Sequence, residues 1–403
     1  AREWLLPCVG ETFDGDLTDV FKVQGDIAEK VAHSLDIVLS GKEHAELSER
    51  PTSNLAAYDA YLRGMGEMGT ASWRTALADF EKAVALDPGF ALAWAQKSLV
   101  HSLLYRFVYP SPQEAEAARR SAERALELAP HLPRSISAMA QYEALVTHEV
   151  VRGKGALERA LRASPNDVEL LLSLSELESD KQKKLGVLQK AETLEPQSEK
   201  VLIALANVLT DLRRPAEARA ACDRGLAAFP ASLRLIFAKS FSHVQEGDLG
   251  SARATLAAAP KGVEPTSLVA YFGDVKDLDW VLDDSRRDLL LRLTPAAFRD
   301  DTAAWAIVLA QASSRRSDLA MVRAYAEEAR KSLESLLARD PENADRRVFL
   351  GLSLAYLGRK EDAIREGERA VVQAPNPYNR HQLARIYILC GDYGKALDLL
   401  EPL

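Results

Sequence analysis

The sequence is poor in residues that support covalent, redox or metal chemistry. Its three cysteines, Cys8, Cys222 and Cys390, are far apart and odd in number, which excludes a disulfide framework and offers no metal spacing. The seven histidines are scattered, and no two sit at i and i+4 around a glutamate, so zinc-protease chemistry lacks its minimum ligands. No apolar run, the longest being near residues 201–209, is long enough to cross a bilayer. A basic excess is missing as well. The 51 Lys and Arg stand against 59 Asp and Glu, a formal charge of −8, whereas nucleic-acid domains concentrate a basic face. Aromatics make up only 7%. What is present is Ala and Leu: 47% of the 403 residues are hydrophobic, enough for a sizeable helical core and, at about 150 residues per domain, for two to four domains.

The chain repeats. Prolines end helical stretches at Pro88, Pro130, Pro165, Pro196, Pro230, Pro341 and Pro375; the steps from Pro130 to Pro230 are 35, 31 and 34 residues, and Pro341 to Pro375 is again 34. Five residues before most of them stands a small residue: Ala83, Ala125, Ala160, Ala191, Gly225 and Ala370. Seven residues earlier still, the better copies place Ala76, Ala118, Ala218 and Ala363. A unit of this length holds two antiparallel helices, with small residues where their backbones approach and proline as punctuation. Gly64 and Gly351 fill the close-contact position of the first helix, with Ser98, Ser175 and Ala206 elsewhere.

Over roughly residues 54–403 this pattern resembles the tetratricopeptide (TPR) repeat. The resemblance implies an all-α fold, a right-handed α-solenoid of antiparallel helix pairs. About nine copies are expected, repeats one to six over 54–265 and seven to nine over 303–403. Residues 266–302 break the period and read as a degenerate repeat or a hinge. Repeat two carries an excess near Tyr105 to Pro112, and repeat seven an overlong second helix from Asp318 to Arg339.

Residues 1–53 differ. Val20, Val23, Ile27, Val31, Leu35 and Val38 recur at helical spacing, between an N-cap at Asp16 or Thr18 and a C-cap at Gly41. The run ETFDGDLTDVFKVQGDIAEKVAHSL, followed by RPTSNLAAYDAYLRG, resembles a bacterial signalling family. There a TolB-like segment joins a nucleotide cyclase, Ser/Thr kinase or winged-helix effector to a TPR array. The resemblance implies that 1–53 is a linker helix after an upstream effector domain that this sequence, opening on Ala1, does not contain.

No catalytic constellation emerges. Gly64, Gly66 and Gly69 spell G-x-G-x-x-G, but a helix precedes them where a phosphate loop needs a strand. His148 and Glu149 are adjacent and so point about 100° apart on a helix. His101 and His243 fall on packing positions. Asp283-Asp284 and Asp300-Asp301 read as turns and helix caps. The basic run Lys181–Lys184 and the pairs Arg213-Arg214 and Arg315-Arg316 read as solvated turns between helices. No catalytic residue, metal or cofactor is expected.

The concave face of a TPR superhelix, lined by the first helix of each repeat, is expected to receive a peptide or partner helix. The register places Tyr142, Lys200, Ile203, Asn207, Asp211, Arg234, Phe237 and Phe241 there, with Tyr356, His381 and Arg385 in repeats eight and nine; for the phenylalanines, packing between repeats is an equal alternative. The sequence thus reads as a non-catalytic protein-interaction and regulatory scaffold of a bacterial signalling protein, with a protein or peptide ligand and a covalently linked upstream effector. The alternative is a brace for that effector with no separate partner. Neither nucleic acid nor membrane insertion is expected, and the setting is cytoplasmic, or extracytoplasmic if a membrane helix lies upstream.

Overall fold

The computed structural model of the chain describes residues 51–69, 73–107, 111–274, 278–298 and 300–401. The expected linker helix, its caps and the start of the chain lie outside the described residues. Helices come in consecutive pairs. They are α1 (Leu55–Gly69) and α2 (Trp73–Leu86), α3 (Ala91–Phe107) and α4 (Pro112–Leu128), α5 (Pro133–Leu145) and α6 (Val150–Ala163). Next come α7 (Val168–Leu177) and α8 (Lys181–Leu194), α9 (Glu199–Asp211) and α10 (Pro215–Ala228), α11 (Leu233–Gln245) and α12 (Leu249–Ala257). The period then falters through α13 (Pro265–Asp274) and α14 (Asp284–Leu290), with 3₁₀ turns at Asp279–Val281 and Pro295–Phe298. It resumes with α15 (Thr302–Ser314) and α16 (Leu319–Arg339), α17 (Ala344–Tyr356) and α18 (Lys360–Gln373), α19 (Pro377–Leu389) and α20 (Tyr393–Leu400). The chain is an all-α helical-repeat solenoid, 79% helical and without strands among the described residues.

Two kinds of helix alternate because they face different surroundings. The second helix of a pair has one side to bury. In α10 that side is Ala218, Ala221, Cys222 and Gly225, the i, i+3, i+4, i+7 stripe of an amphipathic helix, opened by Pro215 in its first turn. The first helix lies between its own partner and the next pair. Thus α9 buries Val201, Leu202, Ile203, Leu205, Ala206, Val208, Leu209 and Thr210, nearly its whole circumference. Small residues set the spacing. A Cβ at Gly153 would stand 2.6 Å from the Ala140 carbonyl oxygen, and one at Gly351 2.9 Å from that of Ala363. A Cβ at Gly64 would stand 2.7 Å from the Phe80 ring. The G-x-G-x-x-G run is therefore helical, and its first glycine is a packing residue.

In most of the described pairs, though not between α7 and α8, the chain reverses through one left-handed residue. Gly247, Gly358 and Gly391 take it at φ 76, 77 and 79°, and Arg213 and Ser317 hold the same place at 58°. Helix starts are capped by side chains: Asp167, Asp248, Asp301, Asp318, Asn343, Asn376 and Asp392 each accept from a backbone N–H in the first turn. The basic run Lys181–Lys184 is not a turn. It is the first turn of α8, capped by Asp180, and the preceding connection is only three residues long. In repeat two the excess near Tyr105 lengthens α3 and α4 to 17 residues each; residues 108–110 lie outside the described residues.

The irregular stretch shares one core with its neighbours. Phe272, Val281, Leu282, Leu290 and Phe298, all nearly or wholly buried, join Ile236 of α11 to Val308 and Leu309 of α15. An ion pair with one buried partner clamps it. Asp279 is wholly buried, and Arg315, at the end of α15, donates to both its carboxylate oxygens at 2.6 and 3.2 Å. Arg315 is therefore no free turn charge. The array also curls on itself, since Arg74 of α2 lies 3.6 Å from Asp340 at the end of α16.

This packing can be tested at two points. Ala363 is fully buried beside Gly351, so Ala363→Trp should cost several kcal/mol, at or above the ~1–3 kcal/mol of ordinary overpacking, whereas Lys184→Ala should stay within ~0.5 kcal/mol. Equal thermal shifts would refute the register. Arg315→Ala strands a buried carboxylate and should cost about 3–5 kcal/mol by denaturant melts; restoring wild-type stability with Arg315→Ala plus Asp279→Leu would locate the cost in the unpaired charge.

Candidate functional site: the concave groove

Taking Ala140, Ser175, Ala206 and Ser240 as the small residues that meet the partner helix, the positions six before, three before and one after fall within about 60° of each other on the helix surface. On α5, α7, α9 and α11 these positions make three rows. The first is Arg134, Glu169, Lys200 and Arg234, the second Ser137, Leu172, Ile203 and Phe237, the third Gln141, Glu176, Asn207 and Phe241. A concave cavity of about 1040 Å³ runs along them. Met65, Met68, Gln96 and Leu99 of α1 and α3 line one end, and Arg234 and Phe229 the other.

The groove is polar along its edges and apolar along its floor. Arg134 pairs with Glu169 at 2.7 Å. The Gln141 amide donates to Glu176, and the Ser232 hydroxyl to Glu199. Beneath them the Ser173 hydroxyl donates to that of Ser137 at 2.7 Å, tying α7 to α5. Solvent reaches Glu176 and Lys200, yet protein crowds both from the sides. Burial accordingly raises the carboxyls of Glu169 and Glu176 above the usual range. The Lys200 ammonium is pushed down, first by desolvation and then by Arg134 and Arg234.

Of the expected binding residues, Lys200, Ile203, Asn207, Asp211 and Arg234 line this one cavity. Three do not. Tyr142 sits among Arg119, Glu116 and Glu123 of α4, because it is one residue past the groove row and one residue turns a helix by about 100°. Gln141 is the groove residue of that helix. Phe237 is 7% exposed and packs its ring on Phe241, Tyr271 and Phe272 at centroid distances of 6.1, 5.7 and 5.3 Å. Packing is the role the structure gives both phenylalanines: α13 covers the aromatic rows, and the open groove ends there. Further on, Tyr356 is hydrogen-bonded by Arg385. Neither these two nor His381 lines the large groove. Arg134, Gln141, Glu169, Glu176 and Phe229 were not anticipated. Phe229 had a signal, being the one aromatic among the residues that precede the repeat-ending prolines.

Nucleophilic chemistry finds little support among the described residues. Cys222 is buried and its thiol pushed up to about 12; Cys390 is half-buried and also raised, by desolvation. His101 is buried against Glu114, Nδ1 to carboxylate oxygen 2.5 Å, as a packing residue inside repeat two. No group of three or more His, Cys, Asp or Glu able to hold a metal occurs among the described residues, and none of the described helices is long and apolar enough to cross a membrane.

A second cavity, of about 210 Å³, lies where Arg74 meets α15, α16, α17 and α19. Ile307, Val308, Leu333, Leu336 and Phe349 form its apolar wall, with Asp345 and Tyr378 among its polar residues. One Asp345 oxygen is buried without a partner, and burial raises this carboxyl to about 7.

No protein-family model matches the chain, and no curated protein sequence matches it. Several solved structures are similar. Human IFIT1, as a dimer with PPP-AAAA, aligns at 15% identity over 88% of this chain and 79% of its own, with a TM-score of 0.43. PilW, a type IV pilus biogenesis factor, aligns at 18% over 56% and 98%, TM-score 0.36. A thermophilic TPR protein of Thermus thermophilus aligns at 18% over 51% and 90%, TM-score 0.30. Such scores say nothing of a ligand.

Asp345 makes stability depend on pH. From about 4 to about 7 the unfolded chain has lost this proton while the folded chain keeps it, so stability falls as pH rises through that window. The fall should amount to at most roughly 4 kcal/mol. Asp345→Asn should remove it and melt above wild type at pH 8. Parallel melting curves across pH for the two proteins would show that Asp345 titrates normally.

Proposed function

We propose that the chain is a non-catalytic protein-interaction scaffold whose concave groove holds an extended peptide or a partner helix. The observation that carries this is the cavity of about 1040 Å³ running unbroken across the first helices of six consecutive pairs. A groove of that kind offers what peptide recognition needs: apolar contact from Leu172, Leu99 and the half-open Phe229, and side-chain amides at Gln96, Gln141 and Asn207 for a ligand's backbone. Phe229 is 39% exposed, so its ring is open to a ligand lying in the groove. The reading as part of a bacterial signalling protein, downstream of an effector domain, rests on the resemblance of residues 11–64 and is proposed on that ground alone.

Selection of random peptides on the immobilised chain tests the groove. Selected peptides should lose about tenfold or more in affinity with Asn207→Ala plus Phe229→Ala, at an unchanged melting temperature. Phe237→Ala, by contrast, should lower stability by ~3–5 kcal/mol, as a buried ring does. Peptides whose binding ignores the groove pair would move the site to another face.

A further inference from the structure

The groove carries five carboxylates, Glu169, Glu176, Glu195, Glu199 and Asp211, against four cations, Arg134, Lys184, Lys200 and Arg234. On an acidic chain this count suggests a basic ligand. The partners suggest the reverse. Three of the carboxylates are engaged within the protein: Glu169 by Arg134, Glu176 by Gln141 and Glu199 by Ser232. Asp211 ends α9, eleven residues and so about 16 Å from Lys200. Glu195, in the turn before α9, acts on Lys200 more weakly than either arginine does; Glu169 acts on it more strongly than Arg234, but its carboxylate is paired with Arg134.

The cations divide differently. Arg134 is spent on Glu169 and Lys184, on α8, acts on Glu176, but Lys200 and Arg234 stand at the same row position of neighbouring helices, exposed to the groove, and neither has a salt-bridge or hydrogen-bond partner among the described residues. Lys200 is partly desolvated and feels the like charges of Arg134 and Arg234, offset in part by Glu169, so an added anion between Lys200 and Arg234 would be favourable. Five residues before Arg234, Phe229 offers an exposed ring on the same wall.

From this geometry we infer that Lys200 and Arg234 form an anion-reading subsite, which takes an acidic side chain of the bound peptide while Phe229 takes an apolar neighbour of that residue. The inference rests on the groove's being a peptide site. It adds the ligand's chemistry: an internal Asp or Glu beside an apolar residue, on a surface whose overall charge would argue against it. A charge-assisted contact to both cations would relieve their repulsion, and Arg234 can present two parallel N–H donors to one carboxylate.

The test uses the full chain and positional-scanning nonapeptides, acetylated and amidated so that no terminal charge contributes. Wild type should prefer Asp or Glu over Asn or Gln at one position by roughly tenfold, the preference falling with salt. Lys200→Glu with Arg234→Glu should invert it to Lys or Arg at that same position, with an unchanged melting temperature. Lys200→Gln with Arg234→Gln should merely erase it. If the selected peptides need Asn207 and Phe229 but show the same charge preference in all three proteins, the anion subsite is overturned and the groove stands. If no peptide depends on any groove residue, the groove reading falls and the subsite with it. Preference for a free C-terminal carboxylate over the amidated peptides, or for a phosphorylated oligonucleotide with no peptide preference, would also overturn it.

Discussion

The approach of two helix backbones at a small residue governs this molecule. Each pair closes only where Gly, Ala or Ser occupies the contact, as at Gly153 against the Ala140 carbonyl or Gly351 against that of Ala363. An added methyl at such a point meets backbone, which cannot move aside. That distance in turn decides how the next pair stacks, and stacking supplies the core, since no pair can bury its own apolar face. The groove is a consequence two steps removed: first helices held at regular intervals leave one face of each unoccupied, and that face becomes a lined cavity.

The same rule explains what the sequence made legible. Prolines and small residues recur at nearly constant intervals, so the helix pairs can be read without coordinates. So can the caps at Asp283 and Asp301 and the long α16 with its cap at Asp318. Much less of the groove was readable. Its register is angular, and a slip of one residue moves a side chain from the cavity to the far wall, as the displacement of Tyr142 by Gln141 demonstrates. Ring burial was also opaque, because Phe237 and Phe241 occupy true groove positions and are covered only by α13, a helix outside the repeat pattern. The Lys181–Lys184 run misled for a simpler reason: a cluster of charges looks like a loop, whereas Asp180 caps it into a helix whose buried side begins at Leu185.

Long-range ionic partners were invisible to periodicity. Asp279 and Arg315 are 36 residues apart, and nothing local marks Asp279 as buried or the two as partners. Their pairing gives the stretch between α12 and α15 a fixed attachment where regular helix packing fails. The cost falls on Asp279, whose carboxylate leaves water, while Arg315 keeps part of its hydration. The ion pair is, however, directional, which apolar contact is not, and an irregular segment without a repeat register needs direction more than area.

Curvature connects this attachment to the groove. The width of a concave surface built from stacked pairs depends on the small rotation at each interface, so an error anywhere propagates along the array. Here the propagation is bounded, because the first pair meets the end of α16 through Arg74 and Asp340. That contact is partly exposed and worth little energy by itself. Its geometric effect is larger, because it joins the first pair to the end of α16 across the array. Ile203 and Leu172 line the groove's floor, and the carboxylates Glu169, Glu176 and Glu199 are each held by a partner. If the groove holds a ligand as proposed, charges fixed at its edge would favour reading the sequence of a thin extended chain over the bulk of a folded surface.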